Sequence, residues 1–276
     1  MNMKNTDLKR IVIHLILISL FLGMGNLSSA QETVLIYTRN GEGYVHKNIE
    51  ASVEALKEMV KEHNIEADVS DDPADFTREN LARYDALIFS NTNNDAFTSD
   101  EQRLAFVHYM EAGGRFVGIH SACGSERNWP WFWSMLGGTF IRHAHFQEFD
   151  LKAIDKDHSS VNHLGETWHW DDECYYMNHL NPANHVVLAA DLTTVKDEKR
   201  SEYPAHIFGD LFPLAWCRET TNGRVFYTAL GHEPEDYSDS KFLKHLWGGL
   251  QWVLEDEGEI DYSRATTQSV NLVESE

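Results

Sequence analysis

Three histidines stand where chemistry could be done. His46 follows the apolar run Thr33-Val34-Leu35-Ile36-Tyr37-Thr38, His120 ends the run Phe116-Val117-Gly118-Ile119, and His232 follows Arg224-Val225-Phe226-Tyr227-Thr228 after a short loop. Each run reads as a buried strand, so each imidazole rides a strand exit. Open α/β sheets bind ligands at the carboxyl ends of their strands, and a doubly wound sheet brings such ends into one crevice. Neutral imidazole is a common metal ligand and a proton carrier near neutral pH. Together the three could hold a divalent cation, zinc preferred, with a carboxylate from Asp171, Asp172 or Glu173 completing the set. His143 and His145 are further ligand candidates. The same histidines could instead be hydrogen-bonded loop groups.

A nucleophilic reading stands beside the metal one. Gly118-Ile119-His120-Ser121-Ala122 has the shape of a strand-to-helix nucleophile turn, with Ser121 adjacent and Cys123 one turn further on. A helix N-terminus there could lower the thiol pKa. His120 itself is a poor covalent nucleophile, and capping with small-residue packing explains Ser121 and Cys123 more simply. The tryptophans at 129, 131, 133, 168 and 170 could offer flat faces to sugar rings, although core packing accounts for most aromatics. Trp168 and Trp170 lie among His169, Asp171, Asp172 and Glu173, a setting that reads as an exposed loop entering a strand.

The elements that must position these groups follow a regular order. After the first strand, Ile49, Val53, Leu56, Met59 and Val60 recur at helical spacing. Ala67 to Val69 is a weak strand and Phe76 to Leu81 a helical turn. Ala86-Leu87-Ile88-Phe89 is a buried strand, and Thr98 or Ser99 caps a helix carrying Leu104, Phe106, Val107 and Met110. Gly113-Gly114 ends that helix before the His120 strand. Such alternation predicts a parallel, doubly wound sheet with right-handed crossovers. Beyond it come a short helix over 129–136, strands near 149–154 and 186–189, and a hairpin of 214–218 and 224–228 with an Asn-Gly turn. A final helix spans Phe242 to Leu254.

Composition bounds the rest. The 276 residues suit one α/β domain. Residues 1–30 read as an export signal: Lys4, Lys9 and Arg10 precede an apolar run from Ile11 to Met24, and Ser28-Ser29-Ala30 precedes Gln31. The domain is expected over 31–254 and an unordered polar tail over 255–276. The product is expected to be secreted or periplasmic, free of membrane once the signal is cleaved. With 23 Lys and Arg against 44 Asp and Glu the net charge is −21, which repels phosphate backbones and excludes nucleic acid as a partner. Three widely spaced cysteines indicate neither a disulfide framework nor a zinc-thiolate cluster.

In its ordered blocks the chain resembles the ThuA-like family, named for trehalose utilisation, within the class I glutamine amidotransferase-like superfamily. The matching stretches are Gly43-Tyr44-Val45-His46, Gly118 to Ala122, Leu136-Gly137-Gly138 with His143, Asp172-Glu173 before Tyr175, Pro213 to Arg218, and Gly223 to His232. The resemblance implies a flavodoxin-like three-layer α/β sandwich with a mostly parallel sheet and a role in carbohydrate metabolism; no nucleotide cofactor is expected. Amidotransferases of that superfamily carry a nucleophilic cysteine where this chain has His120, so glutamine hydrolysis is not implied. The expected site has His120, Glu173 and Asp172 in catalysis. Tyr44, Ser121, Trp168, Trp170 and Arg218 would touch a small carbohydrate, and His46, His120, His232 and His143 would hold a metal. The expected reaction is isomerisation, elimination or hydrolysis of a sugar or keto-sugar. The alternatives are a non-catalytic sugar-binding protein and a cysteine or serine hydrolase.

Overall fold

The computed structural model describes residues 31–202, 208–256 and 258–270. The expected export signal, 1–30, lies outside the described residues. Strands β1 (Thr33–Tyr37), β2 (Glu66–Ser70), β3 (Ala86–Ser90) and β4 (Arg115–Ile119) alternate with helices α1 (Ile49–Glu62), α2 (Arg78–Leu81) and α3 (Asp100–Glu111). After helix α4 (Pro130–Leu136) come strands β5 (Thr139–His143), β6 (Gln147–Ala153), β7 (Trp168–Asp172), β8 (Tyr175–Asn178), β9 (His185–Asp191), β10 (Leu211–Glu219) and β11 (Arg224–Thr228). Helix α5 (Ser240–Leu254) follows.

Among the described residues one sheet of nine strands runs β2-β1-β3-β4-β11-β10-β9-β6-β7. The first five are mutually parallel and the remaining four antiparallel. The expected flavodoxin-like α/β sandwich is therefore observed, with an antiparallel extension. Chain order reverses between β1 and β3, so the loops leaving those strands flank a switch point where a crevice opens.

Period-two alternation assigns each strand residue a face. Phe89 of β3 and Phe116 of β4 meet Phe106 of α3 and Phe132 of α4. Ser90 turns the other way and its hydroxyl meets Ser52 of α1 at 2.9 Å. On that second face α5 lies close to β11, because a Cβ on Gly249 would stand 2.3 Å from the Phe226 ring. Helix α3 starts on a capping box, Ser99 with Gln102.

Two expectations change. Trp168 to Asp172 is strand β7 rather than an exposed loop, with residues 168, 170 and 172 inward and 169 and 171 outward. Residues 258–270 do not trail away. Arg115 donates to the carbonyls of Asp256 and Gly258, Asp261 N–H donates to Ala112 O at 2.7 Å, and the Glu111 carboxylate accepts from Thr266 and Thr267. Polar composition hid this docking because hydrogen bonds rather than apolar periodicity carry it.

His245 of α5 is fully buried, with Nδ1 2.9 Å from Ser160 O and Nε2 3.0 Å from Thr228 Oγ1. Burial pushes its pKa from 6.5 down to about 3. The unfolded chain binds this proton below about pH 6.5 while the folded state refuses it, so the stability contribution is full above that pH and falls as pH drops toward 3. In His245→Gln, stability at pH 7 is expected to be lower. Between pH 6 and 4 its decline should be shallower than the parent's by up to about 1.4 kcal/mol per pH unit, read from urea unfolding at each pH.

Candidate metal and catalytic site

β4 ends at Ile119, paired with Ser90 on one side and Thr228 on the other. The next residue, His120, has φ +51°, a left-handed value that turns the side chain up over the sheet edge. It is fully buried, and its Nδ1 lies 2.8 Å from Ala229 O, in the loop leaving β11. A carbonyl only accepts, so Nδ1 carries the proton and Nε2 presents a bare lone pair.

Three groups converge on that lone pair: Tyr175 OH at 2.9 Å, His46 Nε2 at 3.2 Å and His232 Nδ1 at 3.3 Å. Only one of them can donate to it. Glu173 joins the group with Oε2 3.2 Å from His232 Nδ1, while His232 Nε2 faces Glu233 at 3.5 Å. One ligand atom from each of His46, His120, Glu173 and His232 lies within 4.8 Å of the others. Three of the contacts, at 3.2–3.3 Å, match the separation of about 3.3 Å between ligand atoms around tetrahedral zinc with bonds of about 2.0–2.1 Å. Burial lowers the pKa of all three imidazoles, that of His46 to about 4, which keeps them in the neutral ligand form. Burial, then the Glu233 charge, pushes Glu173 up to about 7, so without a cation its charge is poorly matched to its surroundings.

The loops are tied beneath the cluster. Asn48 donates to Asn91 Oδ1 at 2.9 Å and to Gly231 O at 2.5 Å, joining the loops after β1, β3 and β11. Asn91 in turn donates to Tyr237 OH at 2.8 Å. Asp172 serves the same purpose. It is fully buried, with Oδ2 accepting from Trp170 Nε1 at 2.9 Å and Gly231 N at 3.0 Å, and Oδ1 from Glu173 N at 2.7 Å. Burial outweighs these donors and lifts its pKa to about 7.

The sequence-derived site is thus divided by the structure. His46, His120, His232 and Glu173 come together. Tyr44 and Ser121 line the adjoining cavity of about 260 Å³. His143 lines it too, but its Nδ1 is engaged by Ala144 O at 2.8 Å and Glu173 Oε1 at 3.2 Å, so it stands beside the four-ligand group. Asp172 is a positioning residue rather than base or ligand. Trp168 and Trp170, expected as substrate platforms, do not line that cavity: they are 4% and 6% exposed, packed on each other, His245 and Phe242, and edge a separate cavity with Phe146 and Asp171. Arg218 is corrected as well. β10 runs antiparallel to β11, which carries Arg218 to the opposite sheet edge, where it donates to Ser134 O and Met135 O.

Cys123 is also unsuited to nucleophilic attack: 1% exposed, its thiol donates to His120 O and burial raises its pKa to about 12. All three cysteines are free. Sequence reading missed Tyr175, Asn93 and Arg127, which also line the cavity.

An α/β sheet with five parallel strands gathers histidines and a carboxylate at its carboxyl edge, with His120 at the strand-end turn. The chain belongs to the ThuA family, described as trehalose utilisation, whose profile matches residues 33–253. That membership links it to carbohydrate utilisation. It is similar in structure to a ThuA-like protein from Bacteroides uniformis (22% identity, TM-score 0.66, covering 87% of this chain and 98% of that one). A ThuA-like protein from Parabacteroides merdae is similar at 18% identity and TM-score 0.64, with 82% and 91% covered. The cytoplasmic protein STM1381 from Salmonella typhimurium shares the fold at 13% identity and TM-score 0.55, with 80% and 99% covered. No protein of curated function matches the sequence.

Removing the Asp172 carboxylate leaves three N–H donors buried without partners. Asp172→Ala is expected to lower stability by about 3 kcal/mol or more in urea unfolding, since each orphaned donor costs about 1–3 kcal/mol. A loss under 1 kcal/mol would show that this carboxylate does not hold the loops.

Proposed function

We propose that this chain is an exported, metal-dependent enzyme of carbohydrate metabolism that acts on a sugar or keto-sugar by isomerisation, elimination or hydrolysis. The supporting observation is the convergence of His46 Nε2, His232 Nδ1 and Tyr175 OH on the single lone pair of His120 Nε2, with Glu173 at the same point. That lone pair can accept only one hydrogen bond at a time, whereas one divalent cation could take a lone pair from each imidazole and from Glu173.

His46, His120 and His232 would hold zinc, and Glu173 would complete its shell or act as base. Bound there, the ion would polarise a sugar carbonyl or hydroxyl oxygen. Ala229 O fixes the His120 tautomer, Glu233 orients His232, and Asp172 holds the Glu173 backbone in place. Glu173 faces the cavity, where its carboxylate can take a proton from a carbon or hydroxyl beside the polarised oxygen. Tyr44, half exposed beside His46 with rings 4.8 Å apart, offers its face to a sugar ring.

Protein purified without chelator is expected to carry about one zinc per chain by elemental analysis. Turnover in a screen of glycosides and 3-keto-glycosides should fall at least about a hundredfold on chelation and return with zinc. Absence of metal together with turnover indifferent to chelator would refute the metal role.

A further inference from the structure

The cavity beside the metal cluster has a wall built around Arg127. The guanidinium is held from three directions: Nε donates to Gly124 O at 2.9 Å, Nη2 donates to Asn93 Oδ1 at 3.2 Å, and Cζ lies 5.3 Å from the centre of the Phe140 ring. These contacts come from the turn after β4, the loop after β3 and strand β5. Gly124 makes the arrangement possible, because a Cβ there would stand 2.6 Å from Asn93 Oδ1 and 3.0 Å from Arg127 Nη2. Arg127 is exposed, and these contacts hold its guanidinium at the rim of a small cavity, so that part of its ordering cost is met within the protein rather than on binding.

What the fixed guanidinium lacks is an acid. In a chain of net charge −21, no carboxylate among the described residues lies within ion-pair distance of Arg127. Its neighbour Glu126 is taken by Arg103 at 2.7 Å. Among the described residues lining the cavity Arg127 is the permanent cation and Glu173 the carboxylate, and Glu173 sits at the metal cluster. On the same wall Ser121 Oγ is buried with no hydrogen-bond partner, a donor and acceptor left over for a ligand. A planar fork of N–H donors without an acid partner matches a carboxylate better than any neutral sugar hydroxyl.

We infer that Arg127, assisted by Ser121, is an anion anchor, so that the substrate is a sugar acid whose carboxylate meets the guanidinium while its carbonyl or hydroxyl end faces the His46–His120–His232 cluster. The inference rests on the proposed sugar-enzyme reading for the identity of the ligand, but the anchor itself can be tested separately. A cavity of about 260 Å³ keeps the two ends of such a ligand within one monosaccharide of each other. The acidic surface does not oppose this, because bulk charge is screened over about 8 Å while the anchor acts by contact.

Calorimetry would compare D-glucuronate with its neutral isostere D-glucuronamide, and glycolate with glycolamide, on zinc-loaded and chelator-treated protein. Each carboxylate is expected to bind about ten- to a hundredfold more tightly than its amide in both forms of the protein. Arg127→Met should reduce that preference to near unity while zinc stoichiometry stays at the parent value, and Arg127→Lys should retain part of it. Gly124→Ala should weaken the preference with the arginine still present, by displacing the guanidinium. Equal affinities for acid and amide, or a preference that survives Arg127→Met, would overturn the assignment. An Arg127-dependent preference for glycolate with neither glucuronic probe binding would sustain the anchor while removing the sugar reading.

Discussion

The site depends on one hydrogen bond, from His120 Nδ1 to the carbonyl of Ala229. It exists because β4 and β11 are adjacent and parallel, so their exits lie side by side, and because His120 takes a left-handed φ as the strand ends. The bond sets the tautomer, which leaves Nε2 as a lone pair in a buried space where His46, His232 and Tyr175 also arrive. Everything else at the sheet edge serves to hold these groups there against the cost of burying polar atoms. Asn48 and Asn91 tie the loops, and Asp172 braces both Gly231 and the backbone of Glu173.

Much of this was legible in the chain because parallel strands are continuous apolar runs and topology brings the loops leaving them to one edge; His120 follows its strand directly, while His232 comes four residues and His46 nine residues after theirs. That logic placed His46, His120 and His232 together although 186 positions separate the first from the last. It failed where direction or sidedness mattered. Arg218 lies near a strand end too, but β10 is antiparallel to β11, and the hairpin read from the sequence already put it at the turn, away from the exit that carries His232. In Trp168-His169-Trp170-Asp171-Asp172 the polarity suggested a loop, whereas the two-residue period was that of a half-buried strand whose inward set includes a carboxylate. Tyr175 and Arg127 lie outside the parallel strands, and no period points to either of them.

The turn after β4 lifts an imidazole, His120, over the sheet edge. The nearby thiol of Cys123 lies beneath the turn, protonated by burial. The side chain at the turn, together with its partners on neighbouring strand exits, decides which chemistry such a backbone device can support. The ThuA family match over residues 33–253 ties the chain to carbohydrate utilisation.

The most direct measurement is zinc K-edge X-ray absorption on protein loaded with one equivalent of the metal. Three imidazole nitrogens and one oxygen at about 2.0–2.1 Å are expected, with imidazole scattering reduced in His120→Ala. A shell made only of oxygen, or a spectrum identical in wild type and His120→Ala, would contradict a metal centre at the exits of β1, β4 and β11.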